Sequence, residues 1–326
     1  MPGWWNFPKG DKIPEDLLMP IGDFVKKYDM EALLPRIWGL TGGGVGSSGT
    51  FPEIITINIM KVFIPSIAKT LIGSPRYQPV NTNQELYDKI ANHLGDDVLL
   101  DTKVIKSERN DNGVQLVVQQ KGEDGKEKLI IAKRLLLAIQ PTRENMQPFD
   151  LNDKESEIWS KPEYGHSWLM VASHSKLPEG TALVNRNASV LEDPLYSYVN
   201  APYTTRFQHY GAPSKAYWVP VGGNDYANFD LEAARQTAQG AMERMAKEGV
   251  LPDLKGEQLV VLDSSDHGAV GFGVSADDIR GGWMADVYEL QGKRSTWYTG
   301  GAVATDFTTT LWKFNDDLLP RIIDTM

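Results

Sequence analysis

The sequence predicts an α/β chain: a partial sheet of the parallel α/β type carrying an antiparallel meander, with an α+β lobe interleaved in the same chain. Three observations predict it. Val98 to Leu100 and then Val104 to Ala132 follow a period of two, broken by turns at Asn110 to Gly113 and Gly122 to Gly125. Arg134 is followed by an unbroken apolar run to Ile139, the pattern of a strand buried on both faces, closed by Gln140-Pro141-Thr142. Near the other end, Ser295 to Thr299 reads as a strand, Gly300-Gly301 as a turn, and Thr308 to Ile323 as a helix.

The remaining elements follow in order. Ile21, Phe24, Val25 and Tyr28 recur at helical spacing, and Leu33, Leu34 and Ile37 continue the pattern within Met30 to Trp38. Ile54 to Ile72 is apolar but interrupted by Asn58, Lys61, Pro65 and Lys69, which reads as a buried amphipathic helix rather than a membrane span. Thr82-Asn-Gln-Glu85 has the form of a capping box, Leu86, Ile90 and Leu94 mark one face, and Gly95 stops the helix. Beyond Arg143, short strands are expected at Trp168 to Ala172, Thr181 to Val184, Ala216 to Val221 and Gln258 to Leu262. Helices are expected at Asp230 to Lys247 and Ala276 to Leu290. The expected division is residues 1–80 with 143–265 as a substrate-type lobe, and 81–142 with 266–326 as an incomplete nucleotide-binding-type lobe.

Composition narrows the chemistry. A formal charge of -10 with no Lys or Arg cluster repels phosphate backbones, so nucleic acid is not an expected partner. The absence of cysteine removes disulfides, thiolate metal sites and cysteine nucleophiles. Met1 to Lys12 lacks the order of a secretory signal, so the expected location is cytoplasmic, with no membrane partner. No His, Asp and Glu set has metal spacing, and no nucleophile elbow occurs.

Gly44-Val-Gly46-Ser-Ser-Gly49 is a literal match to the dinucleotide fingerprint, yet a helical segment precedes it and Thr50-Phe51-Pro52 follows. A phosphate cradle needs a strand before and a helix N-terminus after, so this run reads as a loop. Two glycines at the end of Ser295 to Thr299 allow close approach of a ligand, and a helix start at Thr308, Thr309 and Thr310 offers free N–H groups. An ordinary strand-to-helix turn reads equally well. Asp266 and His267 form an acid/base candidate, against which stands a surface turn at Gly268, because neighbours in a strand point oppositely. His166 and His209 lie among aromatics and are candidate pocket residues.

The meander with Val104, the run Leu-Leu-Ala-Ile-Gln-Pro-Thr142 and the ending Leu-Gln-Gly-Lys-Arg-Ser-Thr-Trp-Tyr-Thr-Gly-Gly301 resemble the flavin-containing amine oxidoreductase family, in particular its fungal members of secondary metabolism. The likeness covers nearly the whole chain. It implies an FAD/NAD(P)-binding Rossmann-like sheet with FAD as cofactor, Val104 beside the adenine, and Gly300, Gly301 and Ala302 along the pyrophosphate and ribityl chain. Thr308 and Thr309 would face the flavin's pyrimidine edge. Trp168, Tyr217, Trp218 and Trp312 are candidate walls for a small-molecule substrate.

The family pattern opens with a strand, glycine loop and helix that this sequence does not display. That strand is expected between Val98 to Leu100 and Ser295 to Thr299. Three outcomes stay open: a shortened flavoprotein, a re-closed sheet working without flavin, or a homo-oligomer or second chain completing the sheet. The expected function is an FAD-dependent oxidoreductase, or a truncated derivative, acting on a small organic substrate. A cofactor-free isomerase, cyclase or ligand-binding protein of the same descent is the alternative.

Overall fold

The computed structural model describes residues 5–41, 50–63, 65, 68–69, 73, 80, 82–122, 125–223, 228–305 and 307–326. The run Gly44–Gly49 and most of the expected helix beyond Val62 lie outside these residues. The chain divides into two compact units, each assembled from separated stretches: residues 1–6, 63–160 and 284–326 in one, residues 7–62 and 161–283 in the other.

In the first unit, α4 (Asn83–Leu94) starts and stops where local chemistry dictates. The Thr82 hydroxyl accepts the Glu85 N–H at 3.3 Å, and Gly95 takes a left-handed φ of 56°. The meander β1 (Thr102–Asn110), β2 (Gly113–Gln120) and β3 (Glu127–Ala132) forms a three-stranded antiparallel sheet. Its first turn is set locally by the Asn110 side chain, which accepts the Asn112 N–H at 2.8 Å. β4 (Leu135–Leu137) pairs in parallel with β11 (Thr296–Tyr298), Leu136 beside Trp297. Val98 to Leu100, expected as a strand, is an exposed connection. Leu100 is 68% exposed, and no described strand lies beside it to take its hydrogen bonds.

The outer edge of β11 is closed by a side chain. The Gln291 amide donates to the Tyr298 carbonyl at 2.9 Å and accepts the Tyr298 N–H at 2.8 Å, reproducing the pair of bonds a neighbouring strand would make. After the strand, Gly300 turns the chain, with Val303 and Ala304 N–H groups both returning to its carbonyl, and α10 (Thr308–Ile323) follows. The Thr299 hydroxyl ties strand to helix through Asn315 at 2.5 Å.

In the second unit, α1 (Ile21–Lys27), α2 (Leu34–Thr41) and α3 (Thr56–Val62) precede a six-stranded sheet. Five of its strands run in the order β10 (Val260–Gly273), β5 (Glu163–Ser173), β9 (Tyr217–Gly223), β8 (Arg206–His209), β6 (Ala182–Val184), with β7 (Tyr203–Thr204) also on β9. One face carries Met170, Ala172, Phe207, Tyr217, Val219 and Val221 against the helix Leu231–Lys247. That helix, α7, follows α5 (Arg143–Met146) and α6 (Asp153–Trp159) of the first unit. Its Ala234, Ala238 and Ala241 let it approach closely, and Asp230 caps it by accepting the Ala233 N–H at 2.8 Å. Each large side chain buried here contributes about 1.5–3 kcal/mol. The expected helix Ala276 to Leu290 is two helices, α8 (Ala276–Arg280) and α9 (Trp283–Glu289), separated at Gly281 and Gly282.

Candidate functional site

Strand alternation sorts the second unit's candidates onto two faces. His166 and Trp168 follow Met170 and Ala172 onto the α7 face. The Trp168 indole donates to the Phe229 carbonyl at 2.7 Å, and the His166 ring lies 6.0 Å from both Trp168 and Phe229. Tyr217, 2% exposed, donates its hydroxyl to the Leu177 carbonyl at 3.0 Å on the same side. His209 also sits there, 5.1 Å from Tyr217. Its Nδ1 accepts the Gly211 N–H at 3.0 Å, so its Nε2 is the donor to the Ser214 carbonyl at 2.8 Å. Both ring nitrogens are thereby engaged in holding a turn.

Asp266 does pair with a histidine, but not with its neighbour. Its carboxylate meets His166 Nε2 at 2.6 Å across the β10–β5 pair, while His267 is exposed. The register shifts between Asp266 and Ala269, where Gly268 takes φ of 59° and donates its N–H to Asp266 at 2.7 Å. The expected surface turn is a bulge inside a long strand.

The opposite face carries Trp218, Leu169, Val171 and Arg206, all half-buried. The α2 segment covers part of it: Trp38 lies 5.4 Å from Tyr203, whose ring passes over Gly222, and the Gly39 carbonyl accepts from Arg206 at 2.6 Å. Trp38, Phe51 and Tyr198 continue this aromatic cluster at centroid distances of 5.0–5.4 Å. Burial pushes the Tyr198 phenol up to about 12, and its buried hydroxyl has no partner among the described residues. Neither Arg206 nor this cluster carries a sequence signal, since α2, β7 and β8 meet only in three dimensions.

In the first unit, Val104 sits at a bulge where the β1–β2 register shifts between Val104 and Lys106, leaving backbone outside the ladder. Gly300 has φ of 96°, and a Cβ there would lie 3.1 Å from the Ala138 carbonyl oxygen. Only glycine closes the turn this tightly at the end of the β4–β11 pair. Gly301 is half-buried and Ala302 buried beyond it. Thr308 and Thr309 are exposed in the first turn of α10, and Phe307 before them supplies no side-chain cap, so among the described residues no side chain caps the helix's leading N–H groups. Trp312 is 48% exposed on the same helix.

Behind this turn lies a charge network absent from any sequence pattern. Arg109, with its side chain fully buried, donates to Glu155 at 2.9 Å and 3.1 Å and to Asp150 at 2.9 Å. Arg294 donates to Glu155 at 2.7 Å and to Asp150, and the Tyr298 hydroxyl donates to Glu155 at 2.8 Å. Burial alone would raise the Glu155 carboxyl, but the Asn152 N–H and the Arg109 guanidinium outweigh it and hold it below the usual range. Asp150 is likewise lowered, against burial, by Ser107 and Arg109. Arg294 and Ser295 sit at φ of 50° and 57°, a conformation that non-glycine residues seldom adopt and that the network pins just before β11.

A further recess of about 390 Å³ in the second unit is lined by Glu53, Asn58, Lys161, Glu163, Ser275 and Asp278. Within it Asp278 meets Lys161 at 3.5 Å and Ser275 at 2.6 Å, while the buried Asn58 Oδ1 has no partner among the described residues. Among the described residues no group of His, Asp and Glu could hold a metal, and no helix is long and apolar enough to cross a membrane.

No family model matches the sequence. Over 313 residues the chain is 33% identical to the beta-cyclopiazonate dehydrogenase of Aspergillus flavus, covering 96% of this chain and 64% of that protein. It is 31% identical to an FAD-dependent oxidoreductase of Colletotrichum higginsianum, covering 94% and 63%. The chain thus spans a little under two thirds of the length of these relatives. Among solved structures, a CLA-producing fatty acid isomerase from P. acnes superposes with a TM-score of 0.72 at 17% identity, covering 98% of this chain and 69% of that one. Cyclohexylamine oxidase from Brevibacterium oxydans does so at 0.57 and 13% identity, covering 99% and 71%. The chain is a homologue of fungal proteins named FAD-dependent oxidoreductases, and it has the fold of the flavin amine oxidases.

Proposed function

We propose that the chain acts as an FAD-dependent oxidoreductase on a small organic substrate of fungal secondary metabolism. The observation that carries this reading is the tight Gly300 turn between β11 and the uncapped start of α10. The glycine lets the chain turn closely past the Ala138 carbonyl and run from β11 towards α10, and open N–H groups at a helix start favour an electron-rich ring edge. The relatives' names support FAD as that ligand.

The residues present fit the group. Gly300, Gly301 and Ala302 would hold the pyrophosphate and ribityl chain, the bulge at Val104 would offer backbone to the adenine, and Thr308 and Thr309 would meet the pyrimidine edge. FAD, when bound, supplies the hydride acceptor for oxidation of a C–H beside nitrogen or at an activated carbon. The chain's own residues then position and polarise. The N–H groups of Thr308 and Thr309 would stabilise negative charge at that edge, and in the second unit the face carrying Trp218 would hold the substrate. Of the histidines a cofactor-free isomerase would use, His209 has both ring nitrogens engaged in a turn and His166 is paired with Asp266.

The purified protein is expected to show a visible flavin absorption band, or to bind added FAD at one site by calorimetry. A colourless protein giving no heat with FAD would sink the reading.

A further inference from the structure

We propose that Arg206 is the recognition residue for a carboxylate on the substrate, so that the molecules this sheet face takes are aromatic or alicyclic acids. The proposal rests on the reading of that face as the substrate side.

The arginines of this chain divide by what their donors do. Arg109 and Arg294 are enclosed by carboxylates. Arg186 is held by two backbone carbonyls, Ser197 at 2.8 Å and Pro194 at 2.9 Å, with Tyr198 beneath it at 4.3 Å. Arg206 differs from all three. It is half-buried, makes one hydrogen bond, to Gly39, and pairs with no carboxylate among the described residues. Burial pulls its pKa down with nothing to offset it, although a guanidinium stays charged regardless.

An uncompensated charge taken partly out of water is costly, and a chain with an excess of carboxylates, 43 acidic residues against 33 basic, has ample means to neutralise it. The geometry around Arg206 is that of a held fork. Trp218 lies 5.2 Å beneath the guanidinium and fixes its plane, and the Gly39 carbonyl fixes its rotation. A planar guanidinium so fixed, with donors left over, matches the two oxygens of a carboxylate. Trp218, Leu169 and Val171 on the same face offer an apolar plate for the rest of such a molecule.

The test uses 2-naphthoate and its neutral isostere 2-naphthamide, titrated against the full chain by tryptophan fluorescence and calorimetry. The wild type is expected to prefer the carboxylate by about tenfold, the scale of one charge-assisted pair. Arg206→Gln is expected to abolish the preference while leaving the amide's affinity unchanged. Arg206→Lys is expected to keep only part of it, because an ammonium cannot present a fork. Trp218→Leu is expected to weaken both probes while the preference persists. Equal affinities in the wild type, binding of neither probe, or a preference that survives Arg206→Gln overturns the proposal.

Arg206→Gln is also expected to keep the wild-type urea midpoint or exceed it, since no ion pair is lost. A clear fall would make Arg206 a structural tether to α2 and overturn the proposal too. Neither probe contains a flavin, so this result and the absorption spectrum fail independently.

Discussion

Glu155→Leu is expected to destabilise the protein by about 3–5 kcal/mol in urea unfolding, the cost of removing one partner from a buried charge network. The glutamate accepts from Arg109, Arg294 and Tyr298 and, through the Asn152 N–H at 3.0 Å, also caps α6. Its removal takes the carboxylate partner of both Nη groups from a fully buried guanidinium and leaves Asp150 as its one carboxylate. Replacing Arg109 by Met in the same background is expected to recover part of the loss, because the buried guanidinium would otherwise keep Nη donors without a carboxylate, while Asp150 retains Arg294. A Glu155→Leu variant within about 1 kcal/mol of the wild type would show that the network is not structural.

The same residues set an acid limb. Glu155 and Asp150 have folded pKa values below their ordinary ones of 4.5 and 3.8, so their stabilisation is present above those values and is lost as the pH falls through the depressed folded values. In the wild type, stability is therefore expected to fall on acidification below about pH 4.5, and less steeply in Glu155→Gln. Asp150, a third exposed, contributes the smaller share.

Gly300→Val is expected to abolish FAD binding and lower stability by about 2 kcal/mol or more, the scale of a β-branched residue forced to positive φ. Its Cβ would lie 3.1 Å from the Ala138 carbonyl oxygen, so the ends of β4 and β11 would have to part. The parting would displace the backbone that leads into Ala302 and α10. The check is a paired measurement, the urea midpoint and the FAD dissociation constant. A variant that binds FAD as the wild type does would remove this turn from the cofactor site.

What the sequence disclosed depended on how local the physics was. Thr82 and Gly95 act within their own helix, and Asn110 within its own turn, so α4 and the meander could be placed from spacing. Val98 to Leu100 had the residues of a strand, but pairing is decided by a neighbour, and none of the described strands is one. β10 was legible only in part. The expected strand stops at Leu262, with a surface turn as one reading at Gly268, yet β5 pairs along Asp263 to Asp266 and bulges absorb the extra residues. The network of Arg109, Asp150, Glu155 and Arg294 joins positions up to 185 residues apart, a distance over which no periodicity speaks. Arg206 was invisible for the same reason, since its loneliness is a property of the fold.

The Gln291 amide on β11 gives the small parallel sheet a direction of growth. A side chain that answers both backbone groups of Tyr298 leaves a newcomer little to bind on that margin, and among the described residues no strand pairs with the other flank of β4. One glutamine thus works as a stopper, since it occupies the Tyr298 backbone groups to which an added strand would pair edge to edge. Gln291→Ala would free the two backbone groups of Tyr298, while the Thr296 carbonyl on the same margin keeps the Gly292 N–H.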